Sequence, residues 1–480
     1  MQRLKGADAN WLFQETPTLY FHTVKIHLIE VPGGEAPMKD VRQLLQKVVQ
    51  TLPMLRKRVV EVPYGLHHPV LVDDPNFNLD FHIIRLRIPS PGTMEELEDC
   101  IGDLSSMPLN RSRPLWELWV LEGLGKDHVA LVLKIHHTLA DGMASAAFIS
   151  RLFQTRFDDL PPDDWNPAPL PTSKQLILGA LKDHIKQDIR HLPAFIGAMY
   201  RSVRNMSRHA KNHPSPFVQS MTDAPLPRTR INRSVSDKRL FATLQLSLDE
   251  VRAAKSALGC TINDCFLAMM TSALRCYLQK HNDLPDRPLA AIVPISVDEK
   301  GVIREFGNNI AQMMCLLPVQ IEDPLERFQV TCRYAKEAKA EADAMGKATW
   351  GELQQYVPPG MWASFRMNEY RKQKASKPDY KPAANVLLSN VPGPAKQLAN
   401  MTALYSCGPI NEGTALNGTV WSYNGQFNFS LTACRQLMPD LKDLRDMIAA
   451  SWEELQSLAA AETASHEPAS AAEAELGAVS

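Results

Sequence analysis

The chain has 480 residues, 45% of them hydrophobic and 22% charged, with a formal net charge of -1. A single core stops growing at roughly 250–300 residues, so this length excludes one compact unit and predicts two lobes. The balanced charge excludes a bulk bias toward nucleic acid.

The opening stretch MQRLKGADANWLF lacks a basic region followed by an apolar one, so it does not read as a secretory signal. Residues 41–55 carry apolar side chains at 41, 44, 45, 48, 49, 52 and 55, a helical spacing. Residues 129–135 (VALVLKI) are short, β-branched and mostly apolar, which predicts a buried strand, and 143–153 read as a helix. Mixed elements of this kind indicate an α/β domain. Residues 155–173 are rich in Pro and Asp and read as a linker or long surface loop. Residues 174–211 predict one or two helices broken near Pro193, followed by a Pro/Ser-rich stretch, 212–228.

A second α/β region spans about 235–458. Strands are expected at 240–248 and 290–295, a helix at 264–278, and a strand at 385–389 ending in a VPGP turn. Residues 419–432 have hairpin character around Asn424-Gly425. Beyond 459 the composition turns to Ala, Glu and Ser, which predicts disorder. The expected organisation is therefore an N-terminal lobe (1–172), a helical and Pro-rich linker (173–234), a C-terminal lobe (235–458) and a disordered tail (459–480). No run of 18 uncharged apolar residues occurs, so no transmembrane helix is expected and lipid would be reached from the water side. Eight cysteines (100, 260, 265, 276, 315, 332, 407 and 434) form no CxxC pair. That argues against a zinc site or a dense disulfide framework and fits a reducing, cytoplasmic setting.

The sharpest motif is His136-His137-Thr138-Leu139-Ala140-Asp141-Gly142, between the 129–135 strand and the helix after it. Strand ends in α/β folds are where side chains reach a shared cleft. A neutral imidazole, with an ordinary pKa near 6.5, can accept a proton at neutral pH. An alcohol needs that help, and a positioned general base is worth roughly 10²–10⁴ in rate. Asp141 can hold the loop by ion pairing or hydrogen bonding, and Gly142 permits a tight turn. A purely structural histidine pair is the alternative. No GxSxG elbow, P-loop or dinucleotide-binding GxGxxG competes with this motif.

HHTLADG resembles the HHxxxDG signature of acyltransferases with the chloramphenicol-acetyltransferase-like fold. Over roughly 1–457 the chain resembles the bacterial wax ester synthase/acyl-CoA:diacylglycerol acyltransferase family. Leu4, Asp8 and Glu15 match that family's opening helix, and Arg113-Pro114-Leu115-Trp116-Glu117 its PLW motif. Thr261-Ile262-Asn263-Asp264 match its ND motif, and Asn390-Val391-Pro392-Gly393-Pro394 its NVPGP stretch.

The resemblance implies two lobes with mixed sheets, a helical linker and an active-site channel between them. It implies His137 as the base, with His136 and Asp141 in support. Asn263 would be an oxyanion donor, and Glu15 would reach the same cavity to orient His137. It further implies direct transfer from acyl-CoA, a substrate, to diacylglycerol or a long-chain alcohol. No metal, redox cofactor or covalent acyl-enzyme is needed. A catalytically silent lipid-binding protein of storage droplets, or a transferase for small polar acceptors, are the alternatives.

The secondary motifs also have plainer readings. Trp116 reads as a core anchor, Asn263 as the cap of the next helix, and Pro392 as part of a rigid turn. The family commonly places an Arg soon after its Pro-x-Ser, where this chain has Val297-Asp298-Glu299 after Pro294-Ile295-Ser296. The partner of Asp141 is therefore open, with Arg304 and Arg239 as candidates. Segment 194–211 sets Arg201, Arg204, Arg208 and Lys211 beside Phe195, Ile196, Met199, Tyr200, Val203 and Met206. It suits either peripheral contact with an anionic membrane or droplet surface, or packing across the two lobes.

Overall fold

In the computed structural model the described residues are 1–141, 144–145, 163–188, 193, 196–197, 199–201, 203–205, 207–208, 225–296, 304, 306–345, 355–356, 359–374, 382–394, 397–398 and 400–466. Gly142 lies outside them, as do Lys211, Val297, Asp298, Glu299 and all but two residues of the helix expected at 143–153.

Strands β1 (Gln2–Arg3), β3 (Lys57–Val60) and β4 (Val70–Asp73) form a small sheet in the order β1-β4-β3. A five-stranded sheet contains β2 (His22–Glu30), β5 (Ile83–Arg87), β6 (Trp116–Leu124), β7 (His128–His136) and β12 (Met401–Cys407). Its order is β12-β2-β7-β6-β5. A six-stranded sheet contains β8 (Arg239–Ser247), β9 (Leu289–Ser296), β10 (Ile310–Leu317), β11 (Val386–Pro392), β13 (Leu416–Tyr423) and β14 (Gln426–Cys434). Its order is β10-β9-β11-β13-β14-β8. Both larger sheets are mixed: β5 runs parallel to β6, and β11 parallel to β9 and β13, while the other pairs are antiparallel.

β12 lies far beyond residue 235 in the chain, yet it pairs with β2, Leu404 opposite His27 and Cys407 opposite Val24. The five-stranded sheet is thus completed by the C-terminal half, and the expected boundary at 235 does not separate the sheets.

β7 is central, with β2 and β6 on either side. Successive side chains of a strand point to opposite faces. Leu133 and Ile135 enter one apolar cluster while Ala130 and Val132 enter another, so both faces are buried. That is why the sequence reads as a continuous apolar run.

Helix α1 spans Gly6–Phe13, so Glu15 falls past its end rather than on it. α2 spans Met38–Thr51 and stops before Pro53, which opens a 3₁₀ turn, so the 41–55 pattern is two elements. α3 is Met94–Ser105, opened by a Thr93/Glu96 capping box. In the linker region α4 (Ser173–Asp183) continues into a π turn at His184–Asp188.

α5 (Leu248–Ala257) and α6 (Ile262–Lys280) pack on the six-stranded sheet with α7 (Pro324–Met345) and α9 (Leu441–His466). α8 is Pro359–Lys374. α9 runs on to His466 with Leu455 and Ala459 buried, which corrects the expected start of the tail at 459. The alanines that suggested disorder are strong helix formers once one face is packed. The 424–425 turn is as expected: Asn424 and Gly425 take φ of 50° and 70°, both left-handed, joining β13 to β14.

Candidate active site

The two histidines end β7 and follow it, and alternation sends them to opposite faces. His136 is 2% exposed and shares a face with His22, its cross-strand partner on β2. Its Nδ1 accepts from the Thr138 backbone N–H (3.1 Å), so Nε2 carries the proton and donates to Glu15 Oε1 (3.0 Å). Burial holds the His136 imidazole below its usual pKa, against the opposing pull of Glu15. Glu15 is also ion-paired to Arg111. Burial alone would raise Glu15, but His136 and Arg111 hold it down to about 2. The expectation that Glu15 orients His137 is corrected here: its hydrogen bond goes to His136, because the two rings face apart.

His137 is partly exposed. Its backbone N–H donates to Phe21 O (2.7 Å), and its ring stacks on Trp11 with centroids 4.1 Å apart. Nδ1 lies 2.8 Å from Asn308 Oδ1, and Nε2 has no hydrogen-bond partner among the described residues. Burial pushes this imidazole well below its usual pKa, against the opposing effects of Asp141 and Asn308. The ring is therefore neutral at neutral pH, as a proton acceptor must be.

Beneath the same face, Lys25 donates to Ser406 Oγ (2.8 Å) and lies 5.0 Å from the Trp421 ring. Burial lowers its ammonium to about 8.

Asp141 is 1% exposed and binds Arg304 and Asn309, which face it. Its carboxylate accepts from Arg304 Nη2 (2.6 Å), Asn309 N (3.0 Å) and Ala144 N (3.0 Å). Arg304 is thus its cation, while Arg239 donates to the carbonyls of Thr18, Ser236 and Lys238. A backbone bridge joins Ala140 to Gly307, with Gly307 N donating to Leu139 O (2.5 Å). Gly307 has φ of 83°, where a side chain is strained, and a Cβ there would stand 3.6 Å from Asp8 Oδ2.

α1 closes the arrangement. Asp8 and Trp11 are three residues apart and share a face. Thr138 Oγ1 donates to Asp8 O (2.6 Å), and Asp8 Oδ1 accepts from Asn308 N (2.8 Å) and Nδ2 (2.9 Å). Trp11 and Asn308 are missed by sequence reasoning. Trp11 was findable from its helical spacing to Asp8, whereas Asn308 is one polar residue in a Gly-Asn-Asn turn.

The remaining motif residues lie further out. Trp116 is fully buried, donates to Leu55 O (2.8 Å) and stacks on His82, and Leu115 O accepts from His136 N (2.9 Å). With Pro114 buried beside them, the PLW stretch anchors the core strand next to the histidines.

The N-cap of α6 is Thr261, which shares a capping box with Asp264. Asn263 therefore does not cap. It sits in the first turn, half-buried, with no hydrogen bond among the described residues and none to His137. Asn390 pairs with Val420 inside β11, and Pro392 ends that strand, exposed. Neither is hydrogen-bonded to the His137 ring among the described residues.

Residues 4–266 match the wax ester synthase/diacylglycerol acyltransferase catalytic domain, and 306–456 the C-terminal domain of the same family. A Mycobacterium tuberculosis protein named as a diacylglycerol O-acyltransferase is 34% identical over 469 residues, covering 96% of this chain and 97% of its own. A second from that organism, similarly named, is 33% identical, covering 95% and 90%. The wax ester synthase/diacylglycerol acyltransferase of Marinobacter aquaeolei VT8 is 25% identical with a TM-score of 0.63, covering 96% of this chain and 100% of that one. The starter condensation domain of rhizomide synthetase shares the fold alone, at 14% identity and TM-score 0.56, covering 96% and 94%.

Proposed function

The chain belongs to the wax ester synthase/diacylglycerol acyltransferase family, and on that footing we propose that it moves a long-chain acyl group from acyl-CoA to diacylglycerol, making triacylglycerol. Fatty alcohol, giving wax ester, is the second acceptor. The observation that carries the reading is the His137 ring: partly exposed, held on one nitrogen and, among the described residues, without a hydrogen-bond partner on the other, with burial favouring its neutral form.

His137 takes the hydroxyl proton as the alcohol oxygen bonds to the thioester carbonyl carbon. The tetrahedral intermediate then breaks its C–S bond, and His137 returns the proton to the departing CoA thiolate. The chemistry uses the chain's own groups and two substrates, with no cofactor. Substrates meet at the seam between the two halves, where β7, α1 and 304–309 converge. Asn263, whose amide is not engaged, is proposed to donate to the oxyanion, a role worth about 2.7–4 kcal/mol in the transition state. Asp141, Arg304 and His136 hold the loop.

The test is thiol release from one long acyl-CoA with diacylglycerol or hexadecanol. His137→Ala should abolish it. Turnover that survives this change would remove the assignment of the base, and a wild-type chain without turnover would favour the silent lipid-binding reading.

We further infer that the 173–208 region meets the surface of a membrane or lipid droplet. No single described helix is long and apolar enough to cross a membrane. Leu178, Leu181, Ile185, Ile196, Tyr200 and Val203 are 51–68% exposed, and Arg201, Arg204 and Arg208, which alternate with the last of them in sequence, are exposed as well. Apolar side chains left in water beside cations suit an anionic lipid interface better than packing across the lobes. Reversing the three arginine charges should weaken binding to anionic liposomes. Unchanged binding would remove the surface from consideration.

A further inference from the structure

His137 has two ring nitrogens, and only one tautomer leaves Nε2 able to accept a proton. What selects that tautomer lies on neither β7 nor the HHTLADG loop. Asn308 Nδ2 is 2.7 Å from His137 O and 2.9 Å from Asp8 Oδ1. A backbone carbonyl can only accept, so the amide NH₂ must face that side. Its two hydrogens serve these two acceptors. Asp8 Oδ1 also accepts from the Asn308 backbone N–H at 2.8 Å, which locks the side chain to its own main chain. Asn308 Oδ1 is then left facing His137 Nδ1 at 2.8 Å. An amide oxygen only accepts, so Nδ1 must carry the hydrogen. Trp11, stacked at 4.1 Å, restricts rotation of the ring.

We propose that Asp8 and Asn308 are positioning residues that hold His137 in the Nδ1–H tautomer, so that Nε2 is the nitrogen that accepts the alcohol proton. The device spans the fold. Asp8 comes from α1, His137 from the end of β7 and Asn308 from the turn before β10, so the base is competent only when all three are docked. The charged and titratable groups around the ring are Asp8 on α1, Lys25 on β2, His136 beside it, and Asp141 with Arg304 across the loop. Within this set, the only hydrogen bond to the ring comes from Asn308. The inference rests on His137 being the base, but it makes a claim about the ring that stands without turnover.

Two experiments test it on the full-length chain. In the first, ¹⁵N shifts of labelled histidine, with His137 identified by its loss in His137→Gln, should report hydrogen on Nδ1 and a bare Nε2 at neutral pH. Hydrogen on Nε2 overturns the proposal. This measurement needs no variant of the pair and survives any folding defect.

In the second, Asn308→Ala should lower kcat/KM by about 10²-fold, toward the loss of an oriented base. Exchanging the pair, Asp8→Asn with Asn308→Asp, keeps a hydrogen bond between the two positions but sets a carboxylate against Nδ1. Its carboxylate cannot donate to the His137 carbonyl as the amide does, so activity should recover only in part, with the acid limb of kcat/KM moved up by about 1–3 pH units, because a neighbouring anion favours the imidazolium. Wild-type kcat/KM in Asn308→Ala, or an exchange whose acid limb does not move, overturns the proposal. Full turnover in His137→Ala would instead sink the reading of the base while leaving the ¹⁵N result to speak for the tautomer.

Discussion

The two large sheets share an architecture and differ in what they bury. Inside the five-stranded sheet, His22, Lys25, His27, Glu122, Lys134 and His136 are each no more than 4% exposed. The six-stranded sheet buries Phe427 and Phe429 against Phe266 of α6, and the buried polar side chains of β13 and β14 are neutral: Asn417, Thr419, Asn428, Ser430 and Thr432. Its buried cation, Arg239, is on the edge strand β8. Burying ionisable groups is costly unless they are paired or neutralised. The first sheet meets that cost with Glu15 on His136, Met107 O on Lys134 and Ser406 on Lys25. The difference teaches that one sheet carries the buried ionisable groups while the other is packed with aromatic and neutral polar side chains.

That division can be broken by experiment. The largest effect should come from His137→Ala, with activity down by roughly 10²–10⁴ or more and the melting midpoint close to wild type, because the ring is partly exposed. A large fall in melting temperature would make the residue structural. Phe429→Ala should do the reverse. Truncating a fully buried Phe costs about 3–5 kcal/mol, read by denaturant unfolding, while the folded fraction keeps its specific activity. A folded but inactive variant would show that the second sheet shapes the chemistry directly.

Glu15→Gln sharpens the comparison on the pH axis. A carboxylate held at about 2 in the fold and near 4.5 when unfolded adds stability above pH 4.5. That stability is lost as pH falls through the window toward 2. The gap between wild type and variant should therefore shrink across pH 4.5 to 2, and a constant gap would mean that Glu15 acts through packing alone. The smallest effect is expected from charge reversal at Arg201, Arg204 and Arg208, which should lower liposome binding and leave both stability and turnover of soluble substrate analogues unchanged.

Much was legible in the sequence because local chemistry wrote it there. A β-branched apolar run made β7, and Asn424-Gly425 made the turn between β13 and β14, whereas the cap of α6 was read as Asn263 and is Thr261. The histidine motif at a strand end marked the candidate base without any structure. The pattern could not say that Glu15 faces His136 rather than His137, that Arg304 is the cation for Asp141, or that Asn308 holds the ring. These pairs are separated by 121, 163 and 171 positions in the chain. The sequence by itself determined which residues can move a proton, since that is a property of side-chain type and local backbone. Only the tertiary structure decided which nitrogen of His137 faces Asn308, because that pairing is set by partners that folding alone brings within 3 Å.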